Sequence, residues 1–252
     1  MTSNYSLFYT FDGDVPARFR EARVFGANLW TAGGAAMTWG EEARSGYASE
    51  ALARAAYVAH CQAALDEGYT LARAMLIDPA VFDFALLQSL VTDATRLAVD
   101  AVRRAHPGQH IDAFALVSDD SAMTIGPMAN SREALAASEY GEEMLWNPAE
   151  WAFDDGGAYF DSAYRLLLQA HRHLPFDVDF TAFRAGVFEA CIAALARLDA
   201  EGIFGVGTQR DDFVLLFEVS DSEAVEGAMA RLNPPEVMAR FVHWMASWAE
   251  QE

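Results

Sequence analysis

One stretch of the chain indicates the fold class most directly: Ile111-Asp-Ala-Phe-Ala-Leu-Val-Ser118, then Asp119-Asp120-Ser121, then Ala122-Met-Thr-Ile-Gly126. Two apolar runs joined by a short acidic, serine-containing turn predict an antiparallel β-hairpin. Helical periodicity resumes on both sides of this hairpin. The sequence therefore predicts an α+β protein in which a sheet is combined with several helices.

Downstream of the hairpin, the pattern predicts more helix than strand. Met144-Leu-Trp-Asn-Pro-Ala-Glu-Trp151 comes first and carries two tryptophans around an Asn-Pro turn. We then expect two helices, one strand and two closing helices, at about residues 159–173, 180–199, 213–219, 222–231 and 234–249.

Upstream, a long helix is predicted to precede the hairpin. Asp78 suits the N-cap, Pro79 the first helical position, and Pro107 stops the pattern. The helix either links two modules or forms the first layer of the second one. We therefore divide the chain into residues 5–76, this helix over residues 77–107, and a larger module over residues 108–252.

The first module is predicted to be a small antiparallel sheet plus a helix. Ser49 is the expected N-cap of the helix, and Gly68 stands where a left-handed residue would end it. An apolar stripe on that helix is predicted at Leu52, Ala56, Ala59 and Ala63. Short aromatic runs bounded by glycine predict strands at residues 7–11, 19–25, 28–31 and 36–39.

Charge is distributed very unevenly along the chain. The 252 residues carry a net charge of −20, yet 53% of them are hydrophobic, which excludes intrinsic disorder. Residues 108–252 hold 25 of the 37 acidic residues and only eight of the 17 arginines. We expect neither a nucleic acid nor a membrane as the partner of the whole molecule. The acidity instead predicts a negative face that binds a basic protein.

The N-terminus and the cysteines indicate a cytoplasmic protein. Residues 1–10 lack the basic and apolar regions of a signal peptide, and no stretch of the sequence is long and apolar enough to span a membrane. Cys61 and Cys191 lie far apart within helical patterns, as free thiols in a reducing compartment would.

We find no sequence pattern typical of catalysis or of a cofactor. His171 and His173 lie two apart on a helix and therefore point to different sides, so we expect no metal there. Asp177 and Asp179 are expected to cap a helix rather than bind a cation. Gly205-Val-Gly207-Thr lies between a helix and a strand, the reverse of a phosphate-binding loop, and is read as a turn. The third hypothesis, an enzyme of unknown chemistry, is supported by no sequence motif.

Acidic doublets and one tryptophan are the candidate partner-binding residues. Trp151 is expected in the core by default; if it is exposed, it is the candidate aromatic anchor within an acidic rim, a composition typical of binding hot spots. The other tryptophans, including Trp244 and Trp248, are expected in the core. The acidic candidates all lie in residues 108–252: Asp119, Asp120, Glu142, Glu143, Glu150, Asp154 and Asp155.

The first module resembles the WGR domain family, a small sheet-plus-helix module. The resemblance runs from Phe19-Arg-Glu-Ala-Arg23 through Gly26-Ala-Asn-Leu29 to Tyr47-Ala-Ser49 and Gly68-Tyr69. At the position of the naming Trp-Gly-Arg triplet stand Gly33, Gly34 and Ala35. The aromatic residue and the cation that nucleic-acid-binding members use are thus missing, so only the fold is implied.

The second module resembles a bacterial family known only as a domain of unknown function. The resemblance lies in Trp146-Asn-Pro-Ala-Glu-Trp151, Val187-Phe-Glu-Ala-Cys191, Glu201-Gly-Ile-Phe-Gly205 and Leu232-Asn-Pro-Pro-Glu236, with the Phe114 hairpin before them. Members are often encoded near polymorphic toxin systems, and the resemblance therefore implies an immunity or accessory role.

Together these features predict a non-enzymatic binding protein without a cofactor. The first hypothesis is an immunity-type inhibitor that neutralises a cognate basic toxin or effector through the acidic face of residues 108–252. The alternative is a nucleic-acid-associated or adaptor protein that acts through the WGR-like module. Its support is four arginines: Arg18, Arg20, Arg23 and Arg44.

Overall fold

The structure is a computed structural model that describes residues 3–77, 81–173, 179–220 and 227–249. The chain divides into two compact units. The N-terminal unit comprises Met1–Phe82 with Arg172–Phe176, and the C-terminal unit comprises Asp83–His171 with Asp177–Glu252. Within the described ranges, no helix is both long enough and apolar enough to cross a bilayer.

The N-terminal unit, in its described residues, is a five-stranded antiparallel sheet with the helix α1. Its strands lie in the order β4-β3-β2-β1-β5. The predicted class of sheet plus helix is confirmed. The elements are β1 (Ser3–Asp12), β2 (Val15–Phe25), β3 (Asn28–Ala35), β4 (Glu41–Gly46), α1 (Glu50–Asp66) and β5 (Thr70–Ile77).

One strand of this sheet was predicted at the wrong place. Residues 36–39 form the turn after β3, where Met37 has a φ of 59°. The strand that follows is β4, Glu41-Glu-Ala-Arg-Ser-Gly46, all of whose residues are exposed. A polar strand at the edge of a sheet has no buried face to impose alternation, so its sequence carries no hydrophobic signal.

The ends of α1 are as predicted, but its buried side is not. The Ser49 hydroxyl accepts a hydrogen bond from the Leu52 amide, and Gly68 follows the helix with a φ of 86°. Leu52, however, is 53% exposed, whereas Ala53 and Ala64 are buried against β2 and β3. The predicted stripe is therefore rotated by about one residue, because small alanines on every side of α1 leave its apolar face poorly marked.

The C-terminal unit combines a mixed three-stranded sheet with helices. β6 (Ile111–Asp119) pairs antiparallel with β7 (Ile125–Ser131) and parallel with β8 (Val214–Ser220), which lies at the edge of the order β7-β6-β8. The predicted hairpin, the later strand and the α+β class are confirmed. The helices are α2 (Phe84–Ala105), α3 (Arg132–Ala137), α4 (Asp161–His173), α5 (Phe180–Ala200), α6 (Thr208–Asp212), α7 (Ala228–Leu232) and α8 (Pro235–Ala249).

The start of α2 differs from the prediction. Asp83 is its N-cap, and the carboxylate of Asp83 accepts a 2.9 Å hydrogen bond from the Leu86 amide. Asp78 and Pro79, the predicted cap and first residue, lie outside the described residues. The predicted closing helix from residue 222 also falls partly outside them, and α7 begins at Ala228.

The sheet of the C-terminal unit has two different faces. Phe114 and Phe217 lie on one face, where Phe188 of α5 packs against Phe217 at a ring distance of 5.4 Å and α2 packs on α5. The other face carries a cluster with Trp146, Trp151 and residues of α8. The described part of the unit also contains three 3-10 helices: Gly141–Trp146, Pro148–Glu150 and Gly157–Phe160.

Asn233 closes the free edge of β8. Its amide nitrogen donates a 2.7 Å hydrogen bond to the Leu215 carbonyl, and its side-chain oxygen accepts a 2.9 Å bond from the Leu215 amide. The side chain thus replaces a neighbouring strand just before Pro234-Pro235 starts α8.

Replacing Asn233 with alanine should destabilise the protein. Asn233→Ala leaves the buried amide and carbonyl of Leu215 without partners, so we expect the free energy of unfolding to fall by about 2–3 kcal/mol. Urea denaturation measures the change. Asn147→Ala removes an exposed asparagine and serves as the control, with an expected change below about 0.5 kcal/mol. Equal effects of the two substitutions would contradict the role of Asn233.

Candidate partner-binding surface

The two aspartates of the β6-β7 turn, Asp119 and Asp120, both make contacts within the C-terminal unit. The Asp119 carboxylate accepts hydrogen bonds from the amides of Met123 and Thr124, at 3.3 Å and 2.7 Å, and so shapes the turn between β6 and β7. Asp120 forms an ion pair with Arg184 of α5. These two carboxylates therefore have structural roles within the unit.

The doublet Asp154-Asp155 lies elsewhere. Asp155 binds His106 with an Oδ2 to Nε2 distance of 2.7 Å, and the His106 ring stacks on Phe153 at 4.1 Å. His106 caps α2 a few residues before β6 begins, whereas Asp119 ends β6. The acidic candidates are thus spread over different parts of the unit.

Trp151 lies in the core, as expected by default, and does not meet the condition of exposure on which its role as an aromatic anchor depended. Only 5% of it is exposed, and its indole nitrogen donates a 2.8 Å hydrogen bond to the Met144 carbonyl. It packs in the cluster on the α8 face of the sheet. Two short 3-10 helices around Pro148 turn this side chain inward, which the sequence alone did not reveal.

A groove brings together Glu143 and Glu150, two of the predicted residues. Its volume is about 710 Å³, and we call it the acidic aromatic groove. Both carboxylates are exposed at the groove. The side chain of the remaining candidate, Glu142, lies outside the described part of the structure. The other lining residues include Tyr140, Met144, Trp146, Asn147, Glu218, Trp244 and Met245.

Aromatic and methionine side chains form the apolar lining of the groove. The rings of Trp146 and Trp244 lie 6.2 Å apart and inclined by 35°. Tyr140 is 61% exposed and Met245 is 50% exposed. Large apolar side chains that remain accessible beside carboxylates are the usual composition of a protein-binding site.

Glu218 is the groove residue that the sequence interpretation missed. It lies on β8, on the same side as the buried Val214 and Leu216, and its Oε2 atom has no solvent contact and no hydrogen-bond partner among the described residues. Burial raises the pKa of the Glu218 carboxyl. Glu218 is an acid within an otherwise apolar part of the strand, residues 214–219, and that interruption was the available signal.

Glu218→Gln measures the cost of burying this carboxylate. Because the pKa of Glu218 is raised in the folded state, the unfolded chain loses its proton first as the pH rises, and the free energy of unfolding falls. We expect Glu218→Gln to stabilise the protein at about pH 7 and to have little effect at about pH 3.5. Thermal unfolding at both values checks this, and a loss of stability at about pH 7 would contradict it.

A second, more polar cleft of about 500 Å³ lies at the beginning of β6. Arg132 bridges Asp112 and Asp212 there, at 3.2 Å and 3.8 Å, and burial raises the pKa of Asp112. His106 and His110 also line this cleft. Among the described residues, no three His, Cys, Asp or Glu side chains are grouped as metal ligands.

The residues weighed for a metal have other contacts. His171 packs edge-on against Phe183 at a ring distance of 5.6 Å. Asp179 caps α5, as predicted, by accepting a 3.2 Å hydrogen bond from the Ala182 amide. The side chain of His173 and all of Asp177 lie outside the described residues.

The four arginines of the N-terminal unit are not equivalent. Arg23 is buried and its Nε donates a 2.8 Å hydrogen bond to Ser3, while desolvation lowers its pKa. Arg20 forms an ion pair with Glu67 at 2.6 Å and lies over the Tyr69 ring. Arg18 and Arg44 are exposed. Two of the four therefore act within the unit.

The comparison with family models identifies the family. Residues 91–234, more than half of the chain, match a domain of unknown function, DUF4303. The chain therefore belongs to the DUF4303 family, and the predicted membership in a family of unknown function is confirmed. The match contains Glu143, Trp146, Glu150 and Glu218, and α8 follows it.

Comparisons with individual proteins add little. No curated protein matches the chain. A crystal structure of a protein from Bacteroides fragilis is similar at 19% identity, with a TM-score of 0.25. That similarity covers 27% of this chain and only 19% of the Bacteroides protein.

Proposed function

We propose that this protein is a non-enzymatic binding protein of the immunity type, which inhibits a basic toxin or effector. The observation that carries the proposal is the acidic aromatic groove, where Glu143 and Glu150 stand beside Trp146 and Trp244. The docking surface is thus smaller than the whole acidic face. It combines two of the predicted acidic residues with tryptophans that the sequence had placed in the core.

The physical case combines charge and apolar contact. The net charge of −20 attracts a cationic protein from a distance, and carboxylates at the groove orient it on arrival. Aromatic side chains then supply contact area that excludes water, which stabilises the complex. Such a complex forms fast and weakens as salt screens the charges.

The proposal includes the absence of a covalent mechanism and a cytoplasmic site of action. Burial raises the pKa values of the Cys61 and Cys191 thiols, so neither sulfur is an activated nucleophile. Both cysteines are free, in keeping with a reducing compartment.

The product of the neighbouring gene is the probe that tests this function. We expect the full chain to bind that protein tightly at about 50 mM NaCl and much more weakly at about 300 mM. Co-expression should also relieve its toxicity. Calorimetry and growth assays measure the two effects. The proposal would be overturned if the two proteins did not bind at low salt and co-expression did not relieve the toxicity.

For the N-terminal unit we infer a WGR-like module, with an adaptor or nucleic-acid-associated role as the alternative function. The five-stranded sheet with α1 supports the likeness, and the exposed Arg18 and Arg44 are the cations available for nucleic acid. A gel-shift assay of the full chain with duplex DNA at low salt is the test. A shift that Arg18→Glu/Arg44→Glu abolishes would support the nucleic-acid role, and no shift would remove it.

A further inference from the structure

A carboxylate oxygen in the acidic aromatic groove, Oε2 of Glu218, lacks a hydrogen-bond donor among the described residues, and a ligand could supply one. Glu218 lies on the apolar side of β8, and its Oε2 atom accepts no hydrogen bond from the described residues. Burying a carboxylate oxygen without a donor is unfavourable, so proteins normally pair such groups. Glu218 as a whole is half-buried and lines the groove, so a donor that enters the groove can reach this carboxylate.

The surroundings of Glu218 favour a donor with an apolar stem. Trp146 and Trp244 line the same groove, with ring centroids 6.2 Å apart. Because Glu218 lines this groove too, one side chain bound there can contact both the carboxylate and the rings. A small inorganic cation would make no apolar contact with the lining of the groove, whereas an aliphatic chain ending in a cation would make one.

Arginine fits this combination better than lysine. Its planar guanidinium donates two parallel hydrogen bonds to one carboxylate, is weakly hydrated and stacks on indole rings. The chain itself contains such a contact, since the Arg240 guanidinium lies 5.9 Å from the centre of the Trp146 ring. Arg240 also lines another cleft, beside Asp112, rather than this groove.

We propose that the acidic aromatic groove is a socket for one arginine side chain of the basic partner. The guanidinium pairs with Glu218, the aliphatic stem lies against Trp146 and Trp244, and Glu143 and Glu150 attract the cation at the rim. This inference rests on the proposed function, because the arginine belongs to the protein that the groove binds. Charge complementarity between three carboxylates and one guanidinium identifies the occupant.

Small analogues of the arginine side chain test the socket without the partner. The full chain is titrated with butylguanidinium, butylammonium and the uncharged isostere butylurea, while NMR follows the indole signals of Trp146 and Trp244. We expect butylguanidinium to shift both signals with a Kd of about 1 mM. Butylammonium should bind more weakly, and butylurea at least about tenfold more weakly, because it lacks the charge.

Two variants show whether Glu218 is responsible. Glu218→Gln should remove the preference for butylguanidinium over butylurea, while Asp93→Asn, at an exposed position of α2, should retain it. The melting temperature of Glu218→Gln, recorded on the same sample, shows that the variant is folded. An unchanged preference in Glu218→Gln would overturn the socket.

The remaining outcomes also decide the proposal. Equal binding of the charged and uncharged analogues, or shifts confined to other tryptophans, would overturn it. A stable dimer that protects the two groove tryptophans would identify a second copy as the occupant and overturn it as well. If the analogues do not bind but the neighbouring gene's product still does, the arginine socket is overturned and the proposed function stands.

Discussion

Asp161→Ala should lower the free energy of unfolding by about 3–5 kcal/mol, the largest stability change that we expect from a single substitution in this chain. Asp161 and Arg165 form an ion pair one turn apart on α4, with an Nε to Oδ2 distance of 3.3 Å and no exposed side-chain surface on either residue. Removing the carboxylate leaves a guanidinium charge buried without its principal counter-ion, and that charge cannot reach water. Urea denaturation measures the loss.

An exposed ion pair on α1 offers a matched control. Glu50 and Arg54 have the same spacing and also begin a helix, but their side chains are 57% and 54% exposed. Glu50→Ala should therefore cost no more than about 0.5 kcal/mol. Asp161→Leu/Arg165→Met removes both buried charges and should be much less destabilising than Asp161→Ala. Equal losses for Asp161→Ala and Glu50→Ala would contradict the role assigned to burial.

The comparison of these two pairs shows which properties the sequence reveals. Both pairs are an acid followed four residues later by an arginine, and the sequence does not distinguish them. Burial of Asp161 and Arg165 depends on the packing of the whole C-terminal unit, which local periodicity does not describe. Long elements with a strong pattern, such as α5 and the β6-β7 hairpin, were predicted correctly for the opposite reason. Their apolar runs are themselves the record of burial, which in β6 includes consecutive residues on both faces of the sheet.

The errors have the same origin. β4 is polar because it is an exposed edge strand, and α1 is rich in alanine on every side, so neither carries a clear hydrophobic pattern. The parallel pairing of β6 with β8 joins residues about a hundred positions apart, and no local signal encodes it. For Trp151 the sequence left both a core position and an exposed anchor open, because hydrophobic residues beside acids occur both at surfaces and at the edge of a core.

The candidate site could be predicted only in part. Glu143 and Glu150 were found through their acidity, because charge is visible in the sequence. The groove also needs Glu218 from β8 and Trp244 from α8, which meet these residues only after folding. Acidity therefore located a region of the chain, and tertiary structure selected the few carboxylates that stand beside accessible aromatic rings.

Reversing the charge of Glu143 and Glu150 should weaken binding to the basic partner by about 100-fold or more. In the double variant Glu143→Arg/Glu150→Arg, two attractive contacts at the groove become repulsive, which slows association and destabilises the complex. Both residues are exposed, so the change should leave stability almost unaffected. Calorimetry with the neighbouring gene's product measures the affinity, and urea denaturation checks the fold.

Asp93→Arg/Asp100→Arg separates a local contact from a general effect of charge. Both aspartates are exposed on α2, which packs with α5 on the opposite face of the C-terminal sheet from the groove, and the net charge changes by the same amount. Long-range attraction alone would make the two double variants equally weak, and that result would contradict docking at the groove. Contact at the groove predicts that the α2 variant loses at most about tenfold in affinity, mainly through slower association, and that its loss disappears at high salt. The groove variant should remain impaired at high salt, because close charges within an interface are screened less than distant ones.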